Sequence, residues 1–317
     1  MPQKKVLFID QMHPFLQEQL TDWGFHCDVK HTASKEEIAD ILHEYEGIAV
    51  RSRLKITTDL IDKATQLKFI ARAGAGLESI DVNYARQKGI ACLSSPEGNR
   101  DSVAEHAMGM LLSMFNNLNR SNREVKQGLW RREANRGTEL MGKTVGIVGY
   151  GYMGNAFAKR LQGFGVEVIA YDKFKTDYGN EYACAVSLEE LQERADVVSF
   201  HIYWTPENNK MVNDTYLSAF KKPIYLINTA RGKILETADL VKHLKSGKVL
   251  GAALDVLEYE GHSFHEFNVA TLPDAFQYLT EADNVILSPH IAGWTHESEL
   301  KHVQTLAKRV GGLYDFE

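Results

Sequence analysis

The chain has 317 residues and 35.7 kDa, with 44% hydrophobic and 25% charged residues, the usage of a folded globular protein with room for two domains, which excludes a disordered or fibrous chain. Lys and Arg number 36 against 42 Asp and Glu, so the net charge of −6 gives no bulk attraction for nucleic acid. Mean hydropathy is −0.30, and no run of about 18 apolar residues is present to cross a membrane.

The opening stretch, MPQKKVLFID, lacks the apolar core and cleavage site of a leader. Its apolar run at 6–9 predicts a strand, as do the runs at 48–50, 69–71 and 91–93. Between them a helix is predicted over 35–45, opened by a capping box of Ser34 with Glu37. Continuous apolar strands alternating with helices predict a parallel sheet buried on both faces, so residues 1–98 read as one α/β unit. A second capping box, Ser102 with Glu105, predicts a helix over 103–118. That stretch is apolar nearly all round, so Met108, Met110 and Met114 read as core filling. Residues 119–139 are polar and arginine-rich, as a solvated loop or an arm against another subunit would be. From Lys143 the alternation restarts, with strands predicted at 145–148, 166–171, 197–200, 224–227, 249–254 and 285–287, and Ser187 with Glu190 capping a helix. Cys27, Cys92 and Cys184 are odd in number and far apart, which predicts reduced thiols in a cytoplasmic protein.

Gly149-Tyr150-Gly151-Tyr152-Met153-Gly154 directly follows one predicted strand and opens a helix. The first glycine permits a tight turn, the second lets the backbone approach a pyrophosphate, and the third lets helix and strand pack closely. The phosphates would sit on the free N–H groups of the helix N-terminus. The next apolar strand ends in Asp172, about 18 residues beyond Gly154, where a carboxylate accepts from the adenosine ribose hydroxyls. A carboxylate there repels a 2′-phosphate, so the expected cofactor is NAD rather than NADP.

Three further strand ends carry titratable groups: Arg231, then Asp255 with Glu260, then His290. Ligands of open parallel sheets bind outside the carboxyl ends of the strands. An arginine can hold a substrate carboxylate bidentately, a histidine can move the proton that accompanies hydride transfer, and a carboxylate can orient the imidazole.

With these blocks in place, the sequence resembles the D-isomer-specific 2-hydroxyacid dehydrogenases along almost its whole length. The matching blocks are Arg72-Ala73-Gly74-Ala75-Gly76, the glycine turn at 149–154, Asn228-Thr229-Ala230-Arg231-Gly232 and Ser288-Pro289-His290-Ile291-Ala292-Gly293. The resemblance implies that Arg231, Glu260 and His290 are catalytic. It implies a cofactor site of Gly149, Gly151, Tyr152, Met153, Gly154, Asp172, Thr229 and Ala230, with Asp255 on the nicotinamide carboxamide. It implies that Ala73, Gly74 and Ala75, with Gly76, offer backbone N–H groups to the substrate carboxylate. The implied architecture is two doubly wound parallel-sheet domains: a Rossmann nucleotide domain at 99–290 inserted into a flavodoxin-like substrate domain made of 1–98 and 291–317. A homodimer through the nucleotide domain, with an arm near 128–130, is implied as well.

Within that family the front half is most similar to the 3-phosphoglycerate dehydrogenases, through the block at 50–57 and the stretch at 95–105. That likeness implies oxidation of 3-phosphoglycerate to 3-phosphohydroxypyruvate, as in serine biosynthesis, with Arg51 and Arg53 on the phosphate. If Arg51 and Arg53 lie on an extension of the strand before them, they point the same way. The alternatives are a hydroxypyruvate or glyoxylate reductase, which needs only the carboxylate clamp, and an NADH-sensing protein of the corepressor type. Departures from the family pattern are His201-Ile202-Tyr203, Gly261 after Glu260, a longer segment over 261–282, and Trp294 beside the His290 block, where it would narrow the substrate pocket. His262 and His265 have no further ligands nearby in sequence, so no metal is expected. No residues are available for a C-terminal serine-binding domain, so serine is expected neither to bind nor to inhibit.

Overall fold

The computed structural model describes residues 3–260 and 272–316. The chain separates into two compact units, Met1–Arg100 with Trp294–Glu317, and Asp101–Gly293. Gly261, His262 and His265 lie outside the described residues.

The first unit carries five parallel strands: β1 (Lys5–Phe8), β2 (His26–Val29), β3 (Gly47–Val50), β4 (Phe69–Arg72) and β5 (Ala91–Leu93), in the order β2-β1-β3-β4-β5. This is the flavodoxin-like order. Its strands alternate sides residue by residue. Ile48, Val50 and Ile70 enter one core, while Ala49, Phe69 and Ala71 enter the other. The second core is closed by the C-terminal helix, His296–Tyr314, through Val303, Leu306, Ala307 and Val310. The tail thus folds onto the sheet that the N-terminus begins.

The second unit carries seven parallel strands: β6 (Thr144–Val148), β7 (Glu167–Tyr171), β8 (Cys184–Ala185), β9 (Val197–Phe200), β10 (Ile224–Asn228), β11 (Val249–Leu254) and β12 (Val285–Leu287). Their order is β12-β11-β10-β9-β6-β7-β8, so the winding reverses between β6 and β9. That reversal is the switch point at which doubly wound sheets bind dinucleotides. Core residues again line both faces, with Val148, Ala252 and Leu254 on one side and Val145, Ile147 and Ala253 on the other.

The predicted caps meet two outcomes. Ser34 and Ser187 accept from the amides of Glu37 and Glu190 as a cap requires. Ser102 does not cap: its helix is Arg100–Phe115 and already includes it, so the backbone is helical before the hydroxyl is reached. The expected helix over 103–118 ends at Phe115, where Asn117 adopts a left-handed φ of 52° and a new helix, Leu118–Lys126, begins. The arginine-rich stretch is therefore partly helical rather than all loop. Its remainder folds back on that helix, Arg120 Nε donating to Asn135 Oδ1 at 2.9 Å. Strands β2 and β8 lie at sheet edges, β2 only partly buried and β8 exposed, so neither shows the continuous apolar run that marks the inner strands.

Candidate active site

The glycine turn follows β6 directly. Gly149 has φ of 94°, a left-handed value that favours glycine, and its amide donates to Tyr171 O at 2.8 Å. Gly154 lies one turn into helix Tyr152–Leu161, where a Cβ would come 2.2 Å from Gly149 O, so helix and turn are in contact only because it is glycine. At Gly151, by contrast, an added Cβ would meet nothing within 4 Å. Open space over the helix N-terminus, walled by a turn that tolerates no side chain at its base, fits a pyrophosphate. Asp172 follows β7, and its Oδ2 accepts from Tyr150 N and its Oδ1 from Phe174 N, both at 2.9 Å. The two amides fix the carboxylate beside the turn and leave it lone pairs for ribose hydroxyls. Thr229 is buried, and its Oγ1 finds no partner among the described residues, a further polar atom available to a cofactor. Tyr152 and Met153 open the helix and Ala230 is buried in the turn after β10.

The next group is set by three adjacent strands. After β10, buried Asn228 organises the turn: its Oδ1 accepts from Ala230 N at 3.0 Å and its Nδ2 donates to Arg231 O at 3.1 Å. Arg231 Nη1 donates to Ala230 O at 2.7 Å, which fixes the guanidinium at the strand end. After β11, Glu260 Oε1 accepts from Leu257 N. Its Oε2 accepts from His290 Nδ1 at 2.7 Å, and His290 follows β12. A carboxylate can only accept, so Nδ1 carries a proton and the ring is held through that atom. Both side chains are partly exposed, at 28% for His290 and 21% for Glu260.

His290 itself has a left-handed φ of 56°, uncommon outside glycine. Its amide is held by Asp255 O at 2.8 Å and Ser288 O at 3.0 Å. The Asp255 side chain, expected at the nicotinamide carboxamide, accepts three hydrogen bonds within its own unit. It is wholly buried; its Oδ1 accepts from Ile291 N at 2.9 Å and Ser288 Oγ at 2.5 Å, and its Oδ2 from Ala292 N at 2.8 Å. Its carboxylate therefore clamps the loop that carries His290. His106, from helix Arg100–Phe115, completes this cluster with Nε2 3.0 Å from Ser288 Oγ. No sequence signal marks His106, which lies in an apolar helix far along the chain from the loop it touches.

In the first unit the anticipated substrate contacts are only partly available. Ala73 N donates to Val50 O at 2.8 Å and Gly74 N to Ser95 Oγ at 3.2 Å, so those two amides are taken. Among the described residues the amides of Ala75 and Gly76 make no hydrogen bond. Arg53, expected on a phosphate, has its donors engaged within this unit: its Nε and Nη2 donate to Ile9 O at 3.0 and 2.7 Å, its Nη1 to Ala33 O at 2.7 Å, and buried Asp10 lies 3.3 Å from Nε. Arg51 instead stacks on Trp294, 4.4 Å from the ring centroid, with Nη1 3.4 Å from Glu299 Oε1. The two arginines do not share a target because the chain bends after Val50 instead of extending the strand, so period-2 alternation does not apply. Among the described residues no group of three or more His, Cys, Asp or Glu is arranged to hold a metal.

A doubly wound sheet with a glycine turn at its switch point, and a hydrogen-bonded histidine–carboxylate pair on the same carboxyl edge, defines a dinucleotide-dependent oxidoreductase. The NAD-binding domain of the D-isomer specific 2-hydroxyacid dehydrogenases matches residues 108–292. The chain is 36% identical over 283 residues to a hydroxypyruvate reductase of Thermotoga maritima, covering 87% of this chain and 89% of that one. It is 35% identical over 308 residues to a D-3-phosphoglycerate dehydrogenase of Archaeoglobus fulgidus, covering 96% of this chain but 56% of the relative. It thus spans about half the length of the phosphoglycerate dehydrogenases it matches. Among solved structures, D-lactate dehydrogenase from Aquifex aeolicus, complexed with NAD and lactic acid, superposes with a TM-score of 0.82 at 31% identity over 98% of this chain and 96% of that one. The chain belongs to the D-isomer-specific 2-hydroxyacid dehydrogenases, a family of NAD-dependent oxidoreductases.

Proposed function

We propose that the protein reduces a small 2-oxo acid of the hydroxypyruvate or glyoxylate class at C2, and that Arg231, Glu260 and His290 carry the reaction. The observation behind the chemistry is the 2.7 Å bond from His290 Nδ1 to Glu260. Bound NADH supplies the hydride that C2 receives. His290, protonated, donates its Nε2 proton to the carbonyl oxygen as the C=O double bond becomes a C–O single bond, and neutral imidazole remains. In the oxidation direction Nε2 takes the hydroxyl proton back. Glu260 keeps the ring oriented through its 2.7 Å bond to Nδ1. Arg231 binds the substrate carboxylate in the nucleotide-binding unit, and the amides of Ala75 and Gly76 are the carboxylate donors of the other unit. In this reading the nucleotide domain is the unit Asp101–Gly293 and the substrate domain is the other.

The choice of a small substrate rests on Arg53, whose guanidinium is occupied by backbone carbonyls, and on Arg51, whose charge is shared with Glu299 and Trp294. A second reading, oxidation of 3-phosphoglycerate in serine biosynthesis, is favoured by phosphoglycerate dehydrogenases matching 96% of this chain. Initial rates with NADH separate the two. Hydroxypyruvate or glyoxylate should give a kcat/KM at least about tenfold above 3-phosphohydroxypyruvate; the reverse order selects the second reading.

A homodimer is proposed through exposed apolar Leu118, Val125 and Trp130, exposed at 53%, 51% and 78%. Sedimentation should give twice the chain mass, and Trp130→Glu should shift it toward the monomer. Three free thiols suit the reducing cytoplasm, and no described helix is long and apolar enough to cross a membrane.

A further inference from the structure

Ser95 and His302 lie inside the first unit, exposed at 0% and 7%, in positions that an apolar pair could fill. His302 is on the C-terminal helix, next to the buried apolar residues Val303, Leu306, Ala307 and Val310 of the same helix. Its Nδ1 lies 2.9 Å from Ser95 O and 2.8 Å from Ser95 Oγ. A carbonyl can only accept, so the ring proton sits on Nδ1 and is shared between the two oxygens of one residue. Burial pushes the imidazole down to about 4, which keeps it neutral near pH 7 and its tautomer fixed. The turn Pro96–Gly98 packs onto the ring so closely that a Cβ on Gly98 would sit 2.6 Å from Nδ1.

Ser95 in turn brackets one peptide of the carboxylate loop. Its N donates to Gly74 O at 2.9 Å, and its Oγ accepts from Gly74 N at 3.2 Å. Gly74 is held through both its donor and its acceptor, and Ala73 N is already bonded to Val50 O. The next two amides, Ala75 and Gly76, therefore leave the loop from a fixed peptide. An isolated serine could rotate its hydroxyl toward either partner; the imidazole on its far side removes that freedom.

We propose that His302 and Ser95 form a positioning pair that sets the orientation of the 2-oxo acid carboxylate by fixing the Gly74 peptide. This rests on the reading of the 75–76 amides as carboxylate donors. Neither side chain touches substrate; both act through the loop backbone.

The test uses His302→Leu, which fills the space without a donor, His302→Asn, which returns a donor near the Nδ1 position, and Ser95→Ala. The probe is oxamate, a 2-oxo acid mimic that cannot accept a hydride, titrated calorimetrically into the enzyme–NADH complex. In His302→Leu, oxamate should bind about tenfold more weakly and KM for hydroxypyruvate should rise by a similar factor, the scale of one lost hydrogen bond. The dissociation constant for NADH should stay unchanged, and amide hydrogen exchange at 73–76 should accelerate. His302→Asn should recover most of the loss, and the Ser95→Ala/His302→Leu double variant should be no worse than either single one. Unchanged oxamate binding in either folded single variant overturns the proposal, as does an equal loss of NADH affinity. If His302→Leu does not fold, Ser95→Ala decides alone. Failure of the unmodified protein to bind oxamate or turn over any 2-oxo acid sinks the functional reading and this inference together; normal binding with unaffected variants sinks only the positioning pair.

Discussion

Both sheets are parallel and both end their strands in loops with polar and charged side chains, but the two units use those side chains differently. In Asp101–Gly293 the ends of β6, β10, β11 and β12 carry open space at Gly151, the guanidinium of Arg231 held at a strand end, and a His290 ring oriented by Glu260. Their backbones are fixed by buried partners one step behind, Asn228 for Arg231 and Asp255 for His290. In the N-terminal unit the charged groups after β3 are themselves the fixing elements, with Arg53 closing the carbonyls of Ile9 and Ala33. What that unit leaves available is backbone, at Ala75 and Gly76. A strand-end arginine is therefore not a ligand by position alone; its donors have to be accounted for first.

The largest effect that would sharpen this contrast is at His290. His290→Gln should lower kcat by at least about 100-fold in steady-state assays, the usual scale for a general acid–base, with melting little changed. Arg231→Lys should also lose activity, because an ammonium cannot reproduce the planar fork. A His290 variant with intact kcat would break the assignment of reactivity to the second unit.

Two glycines in one turn give the next test. Gly154→Ala brings a Cβ to 2.2 Å from Gly149 O, a backbone atom with no freedom to retreat, and should lower the melting temperature and NADH binding together. Gly151→Ala meets nothing in the protein and should melt normally while binding NADH at least about tenfold more weakly, if the space it fills is where the pyrophosphate sits. Equal NADH affinity in Gly151→Ala, measured by fluorescence titration, would move the cofactor elsewhere.

These predictions also mark how far the residues could be read before the fold was known. The inner strands were legible because burial on both faces demands a continuous apolar run, and the glycine turn because its spacing is bracketed by a strand and a helix. The Glu260–His290 pair was reachable through family resemblance, 30 residues apart in sequence but in the segments that follow two adjacent strands. Edge strands β2 and β8 were not, since partly or wholly exposed strands carry no such run. Nor were His106, Ser95 and His302, whose partners lie up to 207 residues away. Arg51 and Arg53 illustrate the remaining limit: alternation holds only while the chain stays extended, and nothing in the block after Val50 announces its bend.

Each unit also hides a histidine that burial keeps neutral, His302 pushed down to about 4 and His201 to about 3. The folded chain refuses a proton that the unfolded chain accepts below about 6.5. Their contribution is therefore intact above about pH 6.5 and is lost as pH falls toward 4. For His302 the loss amounts to at most about 3 kcal/mol. Denaturant unfolding between pH 7 and 4 should show stability falling with pH, and His302→Asn should flatten part of that slope. A slope unaffected by His302→Asn would mean that the ring does not stay neutral in the folded state.

The smallest effect concerns the two arginines. Arg53→Ala strips donors from the Ile9 and Ala33 carbonyls and leaves Asp10 short of a partner, so it should cost about 1–3 kcal/mol of stability. Arg51→Ala removes a stacking contact with Trp294, which is itself 68% exposed, and a 3.4 Å ion pair with a half-exposed Glu299. Those are worth less than about 1 kcal/mol. Denaturant midpoints should therefore separate the two variants, with Arg53→Ala the lower. Kinetics should separate them again. If Arg53 is scaffold, any loss of activity in its variant falls equally on hydroxypyruvate and 3-phosphohydroxypyruvate, because a weakened sheet edge does not read a phosphate. A rise in KM confined to the phosphorylated substrate would instead mean that Arg53 releases its carbonyls when phosphate arrives, and the division of labour between the units would have to be redrawn with the first one as a charged ligand site.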